Sequence, residues 1–435
     1  MLDTDEQLAR LKQQIALISD KFRAQSGKDK PPVAPPCPAG IHGSSGRWFI
    51  EEWSQGEVVE NEFGQHFQTE RLFPSHKNHG SADVGALVDL PDDFLGILGN
   101  REVRTCSPCR WAFLDTETTG LLGGSASYAF LIGVGRITRE GFKVRQFFMR
   151  EYAEERSILA ALETHLNDFD VLITYNGKSY DQPLLETRYL TTRQKAPFAR
   201  LGHLDLLHGA RRLWKLRIAN CRLMQLEEQI LGVYRDGDLP GELIPYVYFE
   251  YLRSHEAHRL VPIFHHNAVD ILTLACLTAI VPAAFRAIDS ESLARVGVRR
   301  GEDLASIARW LIAAEEHEQG LELLKRAIDV GLPDPLVFRA LWDTALLEKR
   351  LGRPMDALRV FSELAACRNE YRVCALEEMA KYYEHDECNY TLALDFTNQA
   401  LEFQPSCALK HRRARLERRL AKPLSRRLPR NSGDQ

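Results

Sequence analysis

The stretch WAFLDTETTGLLGG, residues 111–124, ends the most strand-like segment of this chain in two acidic residues. Four apolar residues precede Asp115 and Glu117, and a glycine-rich turn follows them. Because side chains alternate along a strand, both acids are predicted on one face, with Thr116 on the other. Like charges at the end of a buried strand are costly unless a cation compensates them. The pattern fits either a cation-binding edge of a sheet or two acids that point into solvent at a turn.

Two further acids favour the cation site. Asp181 follows a short apolar run in DVLITYNGKSYDQP, and Asp270 lies in the apolar helix predicted for HHNAVDILTLACLTAIV. An aspartate among apolar helix residues is expected to have a metal ion, a base or a helix cap as its partner. His266, four residues before Asp270, shares its helix face. Four acids and a histidine at the ends of core elements predict a site for a hard cation, Mg²⁺ or Mn²⁺ rather than zinc.

The order of the predicted elements indicates the fold class. Three consecutive strands are predicted in WAFLDTE, YAFLIGVGRI and KVRQFFMR. They are followed by a helix in ERSILAALETHL, a strand in DVLITYN, a helix in DQPLLETRYL and a strand-to-helix passage in LGHLDLLHGARRLW. Antiparallel strands followed by alternating strands and helices predict an α/β fold, with a mixed sheet flanked by helices.

Beyond about residue 300 the sequence pattern is purely helical. The segments EQGLELLKRAI, PMDALRVFSEL and NYTLALDFTNQALEFQP align at Gly320, Ala357 and Ala393, with offsets of 37 and 36 residues. These offsets are close to the ~34-residue period of tetratricopeptide (TPR) helix pairs. The pattern predicts an all-α TPR-like array, with an unrelated helical bundle as the alternative.

The chain of 435 residues is long enough for two or three domains, and its composition changes along its length. The predicted segments are an amphipathic helix (1–25), a proline-rich linker (26–46), a small β-rich lead-in (47–105), the mixed-sheet domain (106–283), the TPR-like repeats (298–420) and a basic tail expected to be disordered (421–435).

Charge and cysteine usage limit the classes of function. A net charge of −4 gives no global argument for nucleic acid, so any basic surface must be local. Residues 208–217 and 410–430 are such basic segments, and each is either a phosphate-binding surface or a solvated helix face. Nine irregularly spaced cysteines and no evident signal peptide suggest a cytoplasmic protein with reduced thiols. The pair Cys106 and Cys109 has no second CxxC pair to complete a zinc site, and no apolar run approaches a membrane span.

Three of these motifs carry a resemblance to a known family. FLDTETTGL, YNGKSYD and HHNAVD are similar to the three exonuclease motifs of the DEDD superfamily, which has the ribonuclease H-like fold. Within it, the chain most resembles the bacterial YprB-like ribonuclease H-like proteins, including their linking segment DLPGELIPYVYFEYLR and trailing TPR-like helices. The resemblance covers residues 110–283 well and the helical region loosely.

The resemblance implies a metal-dependent 3′–5′ exonuclease acting on single-stranded DNA or RNA with two Mg²⁺ or Mn²⁺ ions. Its metal-binding acids would be Asp115, Glu117, Asp181 and Asp270, and its general base His266. DEDD enzymes with a histidine base usually place this histidine five residues before the last aspartate. In this chain that position is His265, whereas His266 is four residues before Asp270, so both histidines stay candidates. Alternatives are an inactive nucleic-acid-binding adaptor that recruits a protein partner through its repeats, and a structure-specific endonuclease.

Contacts with the nucleic acid are predicted on both sides of these acids. Asn176 would orient Asp181, contact the nucleotide or simply form a turn, and Leu121 would wedge against the terminal base by family analogy. Tyr180 is a candidate for base stacking, and Trp214 is either a second stacking surface or buried. The residues expected to bind the substrate are Thr118, Leu121, Asn176, Tyr180, Arg211, Arg212 and Lys215.

Overall fold

The computed structural model describes residues 50–98, 105–120, 127–287 and 290–421. The chain divides into two compact units, residues 1–287 and residues 288–435. The predicted amphipathic helix, the proline-rich linker, Leu121 and nearly all of the basic tail lie outside the described residues.

A mixed sheet of seven described strands forms the first unit, in the order β1-β2-β7-β6-β5-β8-β9. From β1 through β2, β7 and β6 to β5, neighbouring strands pair antiparallel. Strand β8 pairs parallel with β5, and β9 pairs parallel with β8. The predicted α/β fold with a mixed sheet is confirmed. The strands are β1 (Glu57–Asn61), β2 (Gly64–Pro74), β5 (Trp111–Thr118), β6 (Ala129–Thr138), β7 (Gly141–Phe148), β8 (Val171–Thr174) and β9 (Gly202–Asp205), with β3 (Asn78–His79) and β4 (Ala82–Asp83) as a separate pair.

The β-rich lead-in contributes directly to this sheet. Strand β2 pairs with β7 along eight positions, from Phe67 opposite Phe148 to Pro74 opposite Gly141. The sequence-based division at residue 105 therefore does not coincide with a structural boundary. The reason is that β7 would otherwise be an open edge, and pairing with β2 satisfies its backbone groups.

Helices cover the sheet, and the longest of them positions the candidate site. Helix α6 (Val261–Arg286) packs against β5, β6 and β7. Gly133 and Gly135 in β6 permit this contact, because a Cβ at Gly133 would lie 2.3 Å from Ile271 Cδ1 and one at Gly135 would lie 2.6 Å from Ile271 Cγ2. The helices of this unit are α1 (Glu155–Leu166), α2 (Asp181–Thr191), α3 (Leu206–Trp214), α4 (Leu223–Leu226, continued by a π-helical turn Glu227–Leu231), α5 (Ile244–Ser254) and α6 (Val261–Arg286).

The helical stretch Ala257–Arg286 is long and apolar enough to cross a membrane by length and composition alone. This corrects the expectation that no apolar run approaches such a length. In the structure 78% of its most apolar window is buried inside the protein. Its apolar character is explained by its packing on the sheet.

The central strand β5 is held rigidly by the core. Trp111, Ala112, Phe113 and Leu114 are at most 1% exposed, and Phe113 meets Phe142 edge-on with ring centroids 5.4 Å apart. Burying each large apolar side chain stabilises the fold by roughly 1.5–3 kcal/mol. The buried first half of β5 therefore fixes the backbone from which Asp115 and Glu117 project.

The second unit is a helical array, as predicted. Helix α8 packs on α9, α10 on α11 and α12 on α13, and α14 packs on α13. Gly320, Ala357 and Ala393 are each the fourth residue of the second helix of a pair, and all three are buried. The TPR assignment itself stays a prediction. The helices are α7 (Ser290–Arg295), α8 (Gly301–Ala313), α9 (His317–Val330), α10 (Asp334–Arg350), α11 (Pro354–Ala366), α12 (Arg372–His385), α13 (Tyr390–Phe403) and α14 (Cys407–Leu420).

Candidate functional site

The candidate site lies at the carboxyl end of β5. Asp115 pairs in register with Gly133 of β6, and Glu117 pairs with Leu131. The register then shifts between Glu117 and Thr118, which marks a bulge at the end of the strand. Both acids are half-buried, so the strand that begins fully buried ends in a sheltered, negatively charged edge.

Asp181 is the first residue of α2 and reaches the same edge. Its Oδ1 accepts a hydrogen bond of 2.5 Å from Oγ1 of Thr116. Thr116, which side-chain alternation predicts on the face opposite Asp115 and Glu117, thus contacts the third acid.

The loop before α2 is organised by Asp205, the last residue of β9. Its carboxylate accepts hydrogen bonds from the backbone N–H groups of Asn176 (2.8 Å) and Lys178 (3.2 Å). It also caps α3 by accepting from Leu207 N at 3.1 Å. Asn176 has a φ of +67°, a left-handed conformation that asparagine tolerates better than most residues. Asp205 thereby holds the loop that delivers Asp181 to the site.

Helix α6 brings a fully buried amide against the first acid. Asn267 is 0% exposed and donates from Nδ2 to Oδ2 of Asp115 at 2.9 Å. Its Oδ1 accepts from Gln146 Nε2 at 2.8 Å, and the same Nε2 is 2.9 Å from the carbonyl oxygen of Phe264. The Asp115 carboxylate is thus oriented by an amide whose own position is fixed.

The two histidines of α6 have different surroundings. His266 lies between two carboxylates, with Nδ1 2.8 Å from Asp238 Oδ2 and Nε2 3.5 Å from Asp270 Oδ2. His265 instead lies with Nδ1 2.9 Å from Nη1 of Arg71. Burial and then Arg71 lower the pKa of His265 to about 4. His266 is therefore the histidine beside the candidate acids.

Asp270 is paired with an arginine that the sequence did not single out. Nη2 of Arg235 lies 2.5 Å from Asp270 Oδ1 and 2.5 Å from Glu227 Oε2. Nη1 of the same guanidinium donates to Asp238 Oδ2 at 3.2 Å. Asp270 therefore contributes its charge to an ion-pair network as well as to the acid cluster.

Negative charge is concentrated at this edge. Burial first, and the surrounding carboxylates second, raise the pKa of Asp115 well above its ordinary value; these carboxylates are Glu117, Asp270 and Asp181. Burial raises the pKa of Glu117 to about 7, although the charge of His266 acts in the opposite direction. Burial also raises the pKa of Asp181 to about 6, in spite of the hydrogen bond from Thr116. The four acids therefore act on one another electrostatically.

A cavity of about 350 Å³ opens over three of these acids. Asp115, Glu117 and Asp181 line it, and Asp270 does not. Three of the predicted substrate residues, Thr118, Asn176 and Tyr180, also line this cavity. Tyr180 is 58% exposed and so remains available for stacking.

The predicted basic surface is only partly at the cavity. Arg211 acts electrostatically on Tyr175, which lines the cavity, and both Arg211 and Lys215 act on Cys221. The hydroxyl of Tyr175 donates to the carbonyl oxygen of Cys221. Arg212 is exposed on α3 and is not among the described residues that line the cavity. Trp214 is 2% exposed, so the idea that it offers a stacking surface is wrong, because it packs into the core.

The chemistry of the donor set fits a hard divalent cation. Buried carboxylates that raise one another's pKa are a cluster of negative charge for which Mg²⁺ or Mn²⁺ is a suitable partner. No group of three or more His, Cys, Asp or Glu in the described ranges has the side-chain arrangement of a metal site. Three acids have protein donors at their oxygens instead, namely Asn267 on Asp115, Thr116 on Asp181 and Arg235 on Asp270.

Comparison with known proteins agrees with this geometry. A family model described as RNase_H superfamily matches residues 112–281, which extend from β5 into α6 and include all four acids. The Bacillus subtilis (strain 168) protein named Uncharacterized protein YprB is 30% identical over 384 residues, which cover 86% of this chain and 90% of that protein. This chain belongs to the RNase H superfamily. The match to the relative extends well beyond the RNase H-like domain, so the similarity includes most of the helical array.

Four residues at the candidate site of this RNase H superfamily protein were not predicted from the sequence. They are Asn267, Asp205, Arg235 and Asp238. The position of Asn267 in a largely apolar helix was the available signal. Asp205 lies at the end of a strand and directly before a helix, so its role as a helix N-cap could have been predicted. Arg235 and Asp238 lie in a loop without periodicity, which gives no local signal.

Proposed function

We propose that this protein is a metal-dependent nuclease, and specifically a 3′–5′ exonuclease that hydrolyses single-stranded DNA or RNA. The observation that carries the proposal is the meeting of Asp115, Glu117 and Asp181 in one cavity, with Asp270 acting on the same cluster. Membership of the RNase H superfamily supports the coarser reading, a nuclease. The direction of cleavage and the use of two ions rest on the resemblance of the three motifs.

In this proposal the four acids would hold the cations. Two divalent ions about 4 Å apart would activate a water and stabilise the leaving oxygen of a phosphodiester. Asn267 keeps the Asp115 carboxylate in a fixed orientation, and Asp205 keeps the loop of Asp181 in place. His266 lies beside Asp270 and, in this proposal, would be the side chain that exchanges a proton with the attacking water.

The cavity and its surroundings suit the end of a single strand. Its volume of about 350 Å³ is at the small end of typical ligand sites, which run from roughly 300 to 1,000 Å³. Tyr180 offers an exposed ring at this cavity, and Asn176 offers an amide. Arg211 and Lys215, near Tyr175 and Cys221, would follow the phosphate backbone that leaves the site.

One observation favours a second function, a nucleic-acid-binding adaptor without catalysis. The Arg235–Asp270 ion pair neutralises one acid that a two-ion site requires. In that case the helical array would recruit a protein partner, and the RNase H-like domain would only bind nucleic acid.

A cleavage assay separates the two functions. The full chain is incubated with 5′-labelled single-stranded DNA and RNA in Mn²⁺, Mg²⁺ or EDTA, beside Asp115→Asn, Asp181→Asn and the exposed control Glu60→Gln. Products that shorten progressively from the 3′ end, require the metal and vanish only in the two aspartate variants are expected. Strand binding with no metal-dependent cleavage on either substrate would establish the adaptor. Internal cuts would instead indicate an endonuclease.

A further inference from the structure

Arg235 occupies the position of an internal counter-cation at the acid cluster. It lies in the loop after the π-helical turn Glu227–Leu231, and its side chain is only 8% exposed. Three carboxylates surround its guanidinium: Glu227, Asp238 and Asp270. Burial works against the charged form, but Asp270 and Glu227 raise the pKa of Arg235 above its already high value, so it remains a cation.

The guanidinium divides one of its nitrogens between two carboxylates. Nη2 lies 2.5 Å from Asp270 Oδ1 and 2.5 Å from Glu227 Oε2. The other nitrogens donate hydrogen bonds, Nε to Glu227 (3.0 Å) and Nη1 to Asp238 (3.2 Å). Asp270 therefore shares Nη2 with Glu227, and the attraction between the charges of Arg235 and Asp270 is one that another cation can replace.

Each of the three carboxylates has another partner, and that of Asp270 is Nε2 of His266, 3.5 Å from its Oδ2. Glu227 Oε1 lies 3.5 Å from Nε2 of His79, which is also 2.8 Å from Thr273 Oγ1. Asp238 Oδ2 lies 2.8 Å from Nδ1 of His266. Glu227 and Asp238 would therefore keep a polar contact if Arg235 withdrew from Asp270. This arrangement permits the arginine to move without leaving a buried carboxylate isolated.

We propose that Arg235 competes with a divalent cation for Asp270 and thereby sets the metal affinity of the acid cluster. This inference rests on the proposed function, because it takes the cluster to be a metal site. Asp115, Glu117 and Asp181 are open to the cavity, whereas Oδ1 of Asp270 would be free to bind a cation only when the guanidinium leaves it.

Equilibrium titration of the full chain with Mn²⁺, followed by calorimetry and by the electron paramagnetic resonance signal of free Mn²⁺, tests the competition. Arg235→Met removes the competing charge and is expected to tighten Mn²⁺ binding by about tenfold or more, since two cations a few ångströms apart repel strongly. The double variant Arg235→Met/Glu227→Gln removes a charge pair together and keeps the fold testable if the single variant unfolds. The same tightening is expected in it.

Arg188→Met is the matched control. Arg188 is also buried, at 4% exposure, and pairs through two nitrogens with Glu155, outside the acid cluster. Its variant is expected to bind Mn²⁺ as the wild type does. If the wild type binds Mn²⁺ and removal of Arg235 leaves the affinity unchanged or weaker, the competition is wrong and the metal site survives. If no protein binds Mn²⁺, including both Arg235 variants, the proposed nuclease function fails as well.

A crystal structure of the wild type with Mn²⁺, located by anomalous scattering, needs no variant. With the ion bound, Arg235 is expected to have left Oδ1 of Asp270. A loaded site in which Arg235 still contacts Asp270 would overturn the inference.

Discussion

Nδ2 of Asn267 lies 2.9 Å from Oδ2 of Asp115, and this hydrogen bond joins the longest helix of the RNase H-like domain to its central strand. The amide is 0% exposed and receives Gln146 Nε2 at its other end. A buried amide with partners at both ends has little freedom to turn, so it fixes the carboxylate that it contacts. Catalytic arrangements depend on such supporting contacts.

Replacing this amide should damage both stability and activity. Asn267→Leu keeps the approximate size but removes the donor to Asp115 and the acceptor for Gln146. Leaving buried polar groups unsatisfied should lower the free energy of unfolding by about 1–3 kcal/mol, and metal-dependent cleavage should fall sharply. Urea unfolding and the strand-cleavage assay measure the two effects. Asn61→Leu, which removes a 2.9 Å bond to Ser157 O, should lose stability only; equal loss of activity in both variants would contradict the role of Asn267.

Gly133→Ala should separate helix α6 from the sheet. A Cβ there would lie 2.2 Å from Oδ1 of Asn267 and 2.3 Å from Ile271 Cδ1, too close for any side chain to remain in place. A destabilisation of about 1–3 kcal/mol is expected from such overpacking, together with loss of cleavage. Gly96→Ala, with open space around the added methyl group, should leave thermal unfolding unchanged. A fully stable and active Gly133 variant would show that the close approach is not required.

Removing one acid should stabilise the metal-free protein while abolishing cleavage. Asp115→Asn has the same shape, can still accept from Asn267 and eliminates one of several buried carboxylates that repel one another. Its melting temperature in EDTA should therefore exceed that of the wild type. Addition of Mn²⁺ should raise the melting temperature of the wild type more than that of the variant. A variant that melts lower in EDTA would mean that the acids do not repel one another.

His66, a buried histidine outside the acid cluster, should contribute less to stability in mild acid than at neutral pH. Burial first, and Arg150 second, lower the pKa of His66 from 6.5 to about 4, and its Nδ1 lies 2.8 Å from Ser157 Oγ. The unfolded chain takes up a proton near pH 6.5 that the folded chain refuses until about pH 4. This contribution to stability is complete above pH 6.5 and is lost as the pH falls toward 4, by roughly 1.4 kcal/mol per pH unit for one proton.

Urea unfolding at several pH values between 7 and 4 measures this slope. In His66→Gln the slope of the free energy of unfolding against pH should be smaller by the amount that corresponds to about one proton, even if the variant is less stable at pH 7. An unchanged slope in the variant would assign the acid sensitivity to other groups.

The basic residues near the cavity should bind the strand without affecting the metal. The double variant Arg211→Gln/Lys215→Gln should weaken binding of single strands and lower the slope of log affinity against log salt by roughly 0.7 for each lost phosphate contact. Its Mn²⁺ affinity should not change. Arg110→Gln, which alters an exposed arginine at the opposite end of β5, is the control and should keep the wild-type slope. Equal slopes in all proteins would remove Arg211 and Lys215 from the substrate path.

Local patterns gave much of the fold and part of the site. Strands β5 to β7, helix α1, the start of α2 and the middle of α6 follow periodicity and turn chemistry that neighbouring residues set. The position of Asp181 at a helix start and of Asp270 on one face with His266 could be read in the same way. Trp214 shows the limit, because helical spacing alone left both a buried and an exposed face open to it.

The sequence by itself determined the α/β order of the RNase H-like domain, the helical array after it and the four acids that approach one sheet edge. Only the tertiary structure decided that β2 extends the sheet, that Asn267 orients Asp115 and that Arg235 lies against Asp270. The physical reason is distance along the chain. Periodicity reports what a residue's neighbours do, whereas 152 positions separate Asn267 from Asp115, and only the packing of α6 on glycine-containing β6 brings them together.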